Sequence, residues 1–196
     1  MSTSASWRAP RKRSLPKRAA AVLLAVFAEP PHDVVFVERA AHLRSHPGQI
    51  GLPGGSVDAS DGDDRAATAL RELQEELGVA PERVTIVGVL PTIENRQLTF
   101  DVTPVVGVLE PGTLLTIDHT ETAAFFTIPL EEIVRPGALA EGVEVFGDRR
   151  IPTEFLDYRE RHVWGLTARI LRNFVDAWNA PESCLRREIE RRLRPT

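Results

Sequence analysis

Two rhythms of apolar residues run along this chain. Short blocks rich in β-branched and aromatic residues lie at Ala20–Ala28, Val34–Glu38, Val84–Leu90, Leu98–Leu109, Ala124–Ile128, Val143–Phe146 and Ile151–Tyr158. Turn-forming stretches separate them ("EPPHD", "EPG", "RPG", "FGD"), so each block reads as a strand. Helical spacing replaces this pattern at Asp64–Leu77, Arg161–Trp178 and Pro181–Leu193. In the second of these, Val163, Leu166, Ile170, Leu171, Phe174 and Val175 recur on one face and predict a helix packed on the sheet. The third, "PESCLRREIERRLR", carries only a thin apolar stripe and predicts a solvated terminal helix. Strands mixed with helices imply one α+β domain with a mixed sheet and helices on its faces. Its expected extent is 19–180, after a flexible basic tail (1–18) and before a charged C-terminal helix (181–196).

Composition narrows the function classes. A length of 196 residues suits one domain, and 42% hydrophobic with 27% charged residues is the balance of a soluble globular protein. The net charge of −4 gives no reason to expect nucleic-acid binding by the whole surface, although the basic residues are unevenly placed. The apolar run Ala19–Ala28 is too short to cross a bilayer, which takes about 20 residues. No membrane partner is expected, and the basic start reads as a tail rather than a signal peptide. Cys184 is the single cysteine, which excludes an intrachain disulfide and a thiolate metal cluster and fits a cytoplasmic location. His32, His42, His119 and His162 lack the spacing of a zinc site.

The unusual chemistry sits in "LPGGSVDASDGDDRAATALRELQEELGV", residues 52–79. At about 100° per residue, Ala66, Leu70, Leu73 and Leu77 form the expected buried stripe, while Glu72, Glu75 and Glu76 form a separate acidic ridge. Three carboxylates near a helix C-terminus repel one another and oppose the helix dipole. Arg71 and Glu75, at i,i+4, can form an ordinary ion pair, so a solvated face accounts for the glutamates taken alone. The preceding loop changes the balance. Gly54 and Gly55 allow close backbone approach to a ligand, and a hard divalent cation takes several oxygen ligands shared with substrate phosphates.

At these residues the chain resembles the Nudix hydrolases. Their box runs Gly, five residues, Glu, seven residues, Arg-Glu, an aliphatic, any residue, Glu-Glu, any residue, Gly, an aliphatic; "RELQEELGV" meets every fixed position of the second half. The first half departs. From Gly55 five residues lead to Asp61 instead of glutamate, and nine residues then separate Asp61 from Arg71. A coenzyme A pyrophosphatase branch of the family is similar in this respect, with a preceding element that "RAAHLRSHPGQIGLPGGSVD" (39–58) follows at Arg39, Leu43, Arg44, His46, Gly48, Gln49, Pro53, Gly54, Gly55 and Asp58. Leu52 stands in place of the usual phenylalanine and Ala40 in place of serine.

The resemblance implies a Nudix fold, an α/β/α sandwich with a mixed sheet and a catalytic loop–helix–loop over Gly55–Val79. It implies Mg2+ or Mn2+ held by the Gly55 carbonyl, Glu72 and Glu76, with Glu75 at a second ion or its water shell, and Arg71 orienting the carboxylates. A general base is then required; Glu72 is one candidate and Glu121, in "HTETAAFFTIPL", another. Arg39, Arg44 and His46, together with Gly54 and Gly55, are the expected substrate contacts, and Arg96 in "ENRQLTF" a further phosphate contact. The expected substrate is coenzyme A or a thioester of it, cleaved to 3′,5′-ADP and 4′-phosphopantetheine. Another nucleoside diphosphate derivative, such as ADP-ribose or an oxidised nucleotide, and a non-catalytic Nudix-fold module are the alternatives. The sequence leaves a homodimer open.

Overall fold

A computed structural model describes residues 17–43, 47–95, 99–146 and 148–194. Strand β1 (Arg18–Phe27) is the centre of the main sheet and runs parallel to β7 (Phe100–Leu109) along its whole length, from Arg18↔Phe100 to Phe27↔Leu109. Its other side is shared by two antiparallel partners. β2 (Asp33–Arg39) pairs at Val26↔Val34, and the short β4 (Gly54–Ser56) pairs from Ala20↔Ser56 to Val22↔Gly54. β3 (Ile50–Gly51) and β8 (Thr122–Pro129) extend the sheet beyond β2, while β5 (Val84–Val89) and β6 (Ile93–Glu94) add to β7. A separate antiparallel sheet orders as β11 (Arg161–Trp164), β10 (Arg149–Tyr158), β9 (Ala140–Phe146).

Alternation along β1 builds two cores. Ala21, Leu23 and Ala25 face helix α1 (Arg65–Leu77), joining Val35, Val37, Val105, Leu109, Ala69, Leu73 and Leu77. Ala20, Leu24 and Val26 face the other way, with Phe36 and Val106, toward α3 (Gly165–Asn179), whose Ala168, Leu171 and Phe174 are buried there. The small alanines of β1 let α1 lie close to the sheet. Helix α2 (Leu130–Val134) and α4 (Cys184–Leu193) close the second core, the latter through fully buried Ile189. This is the expected mixed sheet between helical layers, with the β9–β11 sheet added.

Two expectations change. Arg161–Trp164 is a strand, not the first turn of a helix: Val163 is buried and His162 exposed, the alternation of a strand, and Leu156↔Val163 pairs it with β10. Gly165, at φ 68°, then turns the chain into α3. The buried stripe of α1 is also rotated from the expected one. Ala69, Leu73 and Leu77 are fully buried, whereas Leu70 is only half-buried.

Candidate active site

That rotation decides the fate of the three glutamates. On an ideal helix Glu76 lies about 20° from Ala69, Glu72 about 60° and Glu75 about 120°, all away from Leu73 and Leu77. Burial follows the same order: Glu76 is 8% exposed, Glu72 is half-buried and Glu75 points to solvent. Asp64 caps the helix start by accepting from the Ala66 N–H at 2.8 Å. Gly78, left-handed at φ 68°, ends the helix two residues after Glu76.

The glycine-rich segment meets this helix through β4. The Gly54 N–H donates to Glu76 Oε2 at 3.1 Å. A Cβ at Gly54 would stand 2.4 Å from the Ala21 carbonyl oxygen, and a Cβ at Gly55 2.4 Å from Glu72 Oε1. Gly54 therefore has no room for a side chain against the backbone of β1, whereas a side chain at Gly55 would push aside the Glu72 carboxylate.

Arg71 ties the outer part of the site together. Its Nε and Nη2 each donate to Asp61 at 2.9 Å, Nη2 donates to the Ser56 carbonyl at 3.0 Å, and Nη1 donates to Glu75 at 2.9 Å and stands 3.0 Å from Glu72 Oε1. The longer spacing between Asp61 and Arg71 is accommodated by a 3₁₀ turn at Ala59–Asp61, closed by reciprocal Asp58–Asp61 capping bonds. The Arg71 guanidinium holds the Asp61 carboxyl well below the usual carboxylate range. Glu75 is held on the solvent side of this cluster, away from Glu76.

Strand pairing imports two more charges. Arg39 ends β2 and faces Thr122 of β8, and the Ala40 N–H donates to the Glu121 carbonyl at 2.9 Å. Arg39 lowers, and Glu121 raises, the pKa of Glu76, so both stand within electrostatic range of it. Arg39 Nε is buried without a hydrogen-bond partner, while the Glu121 side chain is exposed. Arg44, His46 and Arg96 lie outside the described residues. Sequence reasoning overlooked the Asp118 turn: its N–H donates to the Glu76 carbonyl at 3.0 Å, docking the segment before Glu121 onto the end of α1. The D-x-T spelling of an Asx turn was the available signal.

The electrostatics are those of an unfinished site. Burial pushes Glu76 up to about 8, and burial also raises Glu72, aided by Glu75 and Glu121 against the opposing Arg71. Among the described residues, no three His, Cys, Asp or Glu side chains stand arranged to hold a metal ion as they are. The donor set nevertheless suits a hard cation. The Glu72 carboxylate lies against the space that Gly55 leaves, and burial raises both Glu72 and Glu76 despite Arg71 beside the one and Arg39 near the other, so a further cation would be favoured there. A cavity of about 520 Å³ lined by Pro31, His32, Leu130 and Trp178 lies at the opposite end of β2 from Arg39 and shares none of these groups.

Comparison with known proteins gives the family and the fold. The family model described as the NUDIX domain matches residues 16–147. A Salmonella dublin protein named uncharacterized Nudix hydrolase NudL is 38% identical over 164 residues, covering 83% of this chain and 84% of that protein. Its counterpart in Salmonella paratyphi B is 39% identical over 163 residues, 83% of each. The crystal structure of a MutT/nudix family protein from Enterococcus faecalis superposes with a TM-score of 0.55 over 92% of this chain and 70% of that one; at 16% identity this shows the fold. No described helix is long and apolar enough to cross a membrane. With the NUDIX domain model matched over residues 16–147 and relatives 38–39% identical over 83% of its length, the chain belongs to the Nudix hydrolases, a family acting on pyrophosphate bonds.

Proposed function

We propose that the chain is a divalent-metal-dependent diphosphatase of coenzyme A or its thioesters, releasing 3′,5′-ADP and 4′-phosphopantetheine or its acyl form. The observation that carries the reading is Arg39. It opens the coenzyme A-type element 39–58, and its buried Nε without a partner stands within electrostatic range of Glu76, where a bidentate guanidinium suits a phosphate. Arg44 and His46 in the same element, and Arg96, are proposed as further contacts to the extra phosphate that distinguishes this substrate from ADP-ribose.

Glu72, Glu76 and the Gly55 carbonyl would hold Mg2+ or Mn2+, with Glu75 available to a second ion once released from Arg71. When bound, the ion supplies Lewis acidity at a pyrophosphate oxygen and charge neutralisation for the leaving group. The remaining roles belong to the protein. Arg71 fixes the turn of α1 that presents Glu72, and the Gly54 N–H holds Glu76 Oε2 in place. Glu121 is a proposed general base: its side chain is exposed and stands within electrostatic range of Glu72 and Glu76. Glu72 is the other candidate.

The test is release of 3′,5′-ADP from coenzyme A by the purified protein with Mg2+ or Mn2+, beside ADP-ribose, nucleotide sugars and dinucleotides. Coenzyme A compounds are expected to turn over fastest. ADP-ribose cleaved far faster than any of them would sink the substrate assignment, and no turnover of any compound would support a binding module instead.

A further inference from the structure

The segment that presents Glu121 is pinned at several points, and Thr120 carries three of its hydrogen bonds. Asp118 Oδ1 accepts from the Thr120 N–H at 2.8 Å and from its hydroxyl at 2.5 Å, closing the turn from the N-terminal side. The Thr120 carbonyl is held from outside the segment, by His42 Nε2 at 3.1 Å. Because the partner is a carbonyl, Nε2 carries the proton in this contact. The base of the turn rests on α1, where Asp118 N–H and Thr116 N–H donate to the carbonyls of Glu76 and Leu77 at 3.0 and 2.9 Å. Among the described residues Glu121 is bonded through its backbone carbonyl, to Ala40 N–H at 2.9 Å. Where its carboxylate lies relative to Glu72 and Glu76 is therefore set by the backbone at positions 120 and 121. His42 is the one side chain among the described residues that ties position 120 to the end of β2.

We infer that His42 is a positioning residue for Glu121, holding the Thr120 carbonyl so that the Glu121 carboxylate faces Glu72 and Glu76. The inference rests on the reading of Glu121 as general base. His42 is exposed and its bond is to the Thr120 carbonyl, so its effect on Glu121 is transmitted through the peptide between Thr120 and Glu121. A tether that only added stability would lower the melting temperature and leave the balance of kcat and KM alone. A tether that sets the angle of a base changes kcat, because a displacement of about 1 Å in a catalytic group costs up to about 100-fold.

The experiment compares His42→Phe, which keeps the ring but cannot donate, with His42→Gln, whose amide can. Amide exchange across residues 118–122, read by mass spectrometry on the intact protein, is expected to quicken in His42→Phe and to return toward wild type in His42→Gln. Kinetics with Mg2+ on coenzyme A, and on ADP-ribose in parallel, are expected to show kcat about tenfold lower in His42→Phe at unchanged KM, with His42→Gln near wild type. Adding His42→Phe to Glu121→Gln is expected to cost nothing further. Equal behaviour of the two His42 variants in both exchange and kcat, or an undiminished His42→Phe effect on the Glu121→Gln background, would overturn the inference and leave the role of Glu121 standing. Full activity in Glu121→Gln alone would remove the base assignment, and the inference with it.

Discussion

Gly54 gives its backbone N–H to Glu76 Oε2 at 3.1 Å, joining the glycine strand laid along β1 to the most buried carboxylate of α1. One hydrogen bond from a neutral amide does not compensate a carboxylate with 8% exposure, and burial accordingly holds the Glu76 pKa near 8.

Glu76 makes the metal-free protein less stable as the pH rises. Its folded-state pKa of about 8 lies above the ordinary 4.5, so the native state keeps a proton that the unfolded chain releases between these values. The destabilisation is absent below 4.5, grows across the window and reaches a few kcal/mol, in order of magnitude, above 8. Glu76→Gln is expected to melt higher than wild type at pH 8.5 without metal, to match it near pH 4.5, and to release no product. Thermal melts with chelator across this range check the first two.

Divalent metal is expected to reverse the same cost. Mg2+ or Mn2+ added to wild type should raise the melting temperature, as any ligand of the native state does, and the rise should vanish in Glu72→Gln and Glu76→Gln. A wild-type melting temperature indifferent to both metals would argue against the Glu72–Glu76 ligand set.

The two glycines should fail differently. Alanine at Gly54, whose φ of 154° and 2.4 Å approach to the Ala21 carbonyl involve rigid backbone, is expected to destabilise by at least about 2 kcal/mol. Alanine at Gly55 displaces the Glu72 carboxylate instead. That variant is expected to stay folded and lose both turnover and metal-induced stabilisation, which calorimetry and the product assay separate.

Arg71→Lys tests the clamp. A lysine ammonium cannot reach Asp61 bidentately while also serving Glu75 and the Ser56 carbonyl, as Arg71 does. A loss of about 1–3 kcal/mol in denaturant unfolding is expected, together with a fall in kcat.

His162 offers a second pH signature. Burial lowers its pKa, and the Asp157 and Glu144 carboxylates, at 2.5 and 2.9 Å, more than offset this to leave it raised. The stabilisation is complete below 6.5 and is lost as pH climbs through the raised folded value. His162→Gln is expected to remove that slope from the wild-type profile of melting temperature against pH.

Much of this molecule follows from local order in the chain. The alternation in "AAAVLLAVF" builds β1 with a different core on each side, and "RELQEELGV" sets Arg71, Glu72, Glu75 and Glu76 on successive turns before the Gly78 stop. Those spacings, with the glycine pair before them, carry the family and its reaction class, because periodicity and motif spacing are properties of neighbouring residues. Short elements escaped for the same reason. β3, β4 and β6 have two or three residues each and exist through their pairing partners, and Arg161–Trp164 is a strand because β10 lies beside it.

The identity of the buried carboxylate was beyond local reasoning. Helical spacing makes Glu72, Glu75 and Glu76 neighbours, but which of them turns inward depends on how α1 rolls onto the alanines of β1. Asp61 reaches Arg71 only because a 3₁₀ turn takes up the intervening chain. Arg39 and Glu121 are 82 positions apart in sequence and meet the helix through the pairing of β2 with β8. The spacing of residues along an element is a matter of backbone geometry, which the chain carries locally. The roll of a helix, the register of distant strands and the burial of one charge are settled by packing, where long-range contacts outweigh local preference.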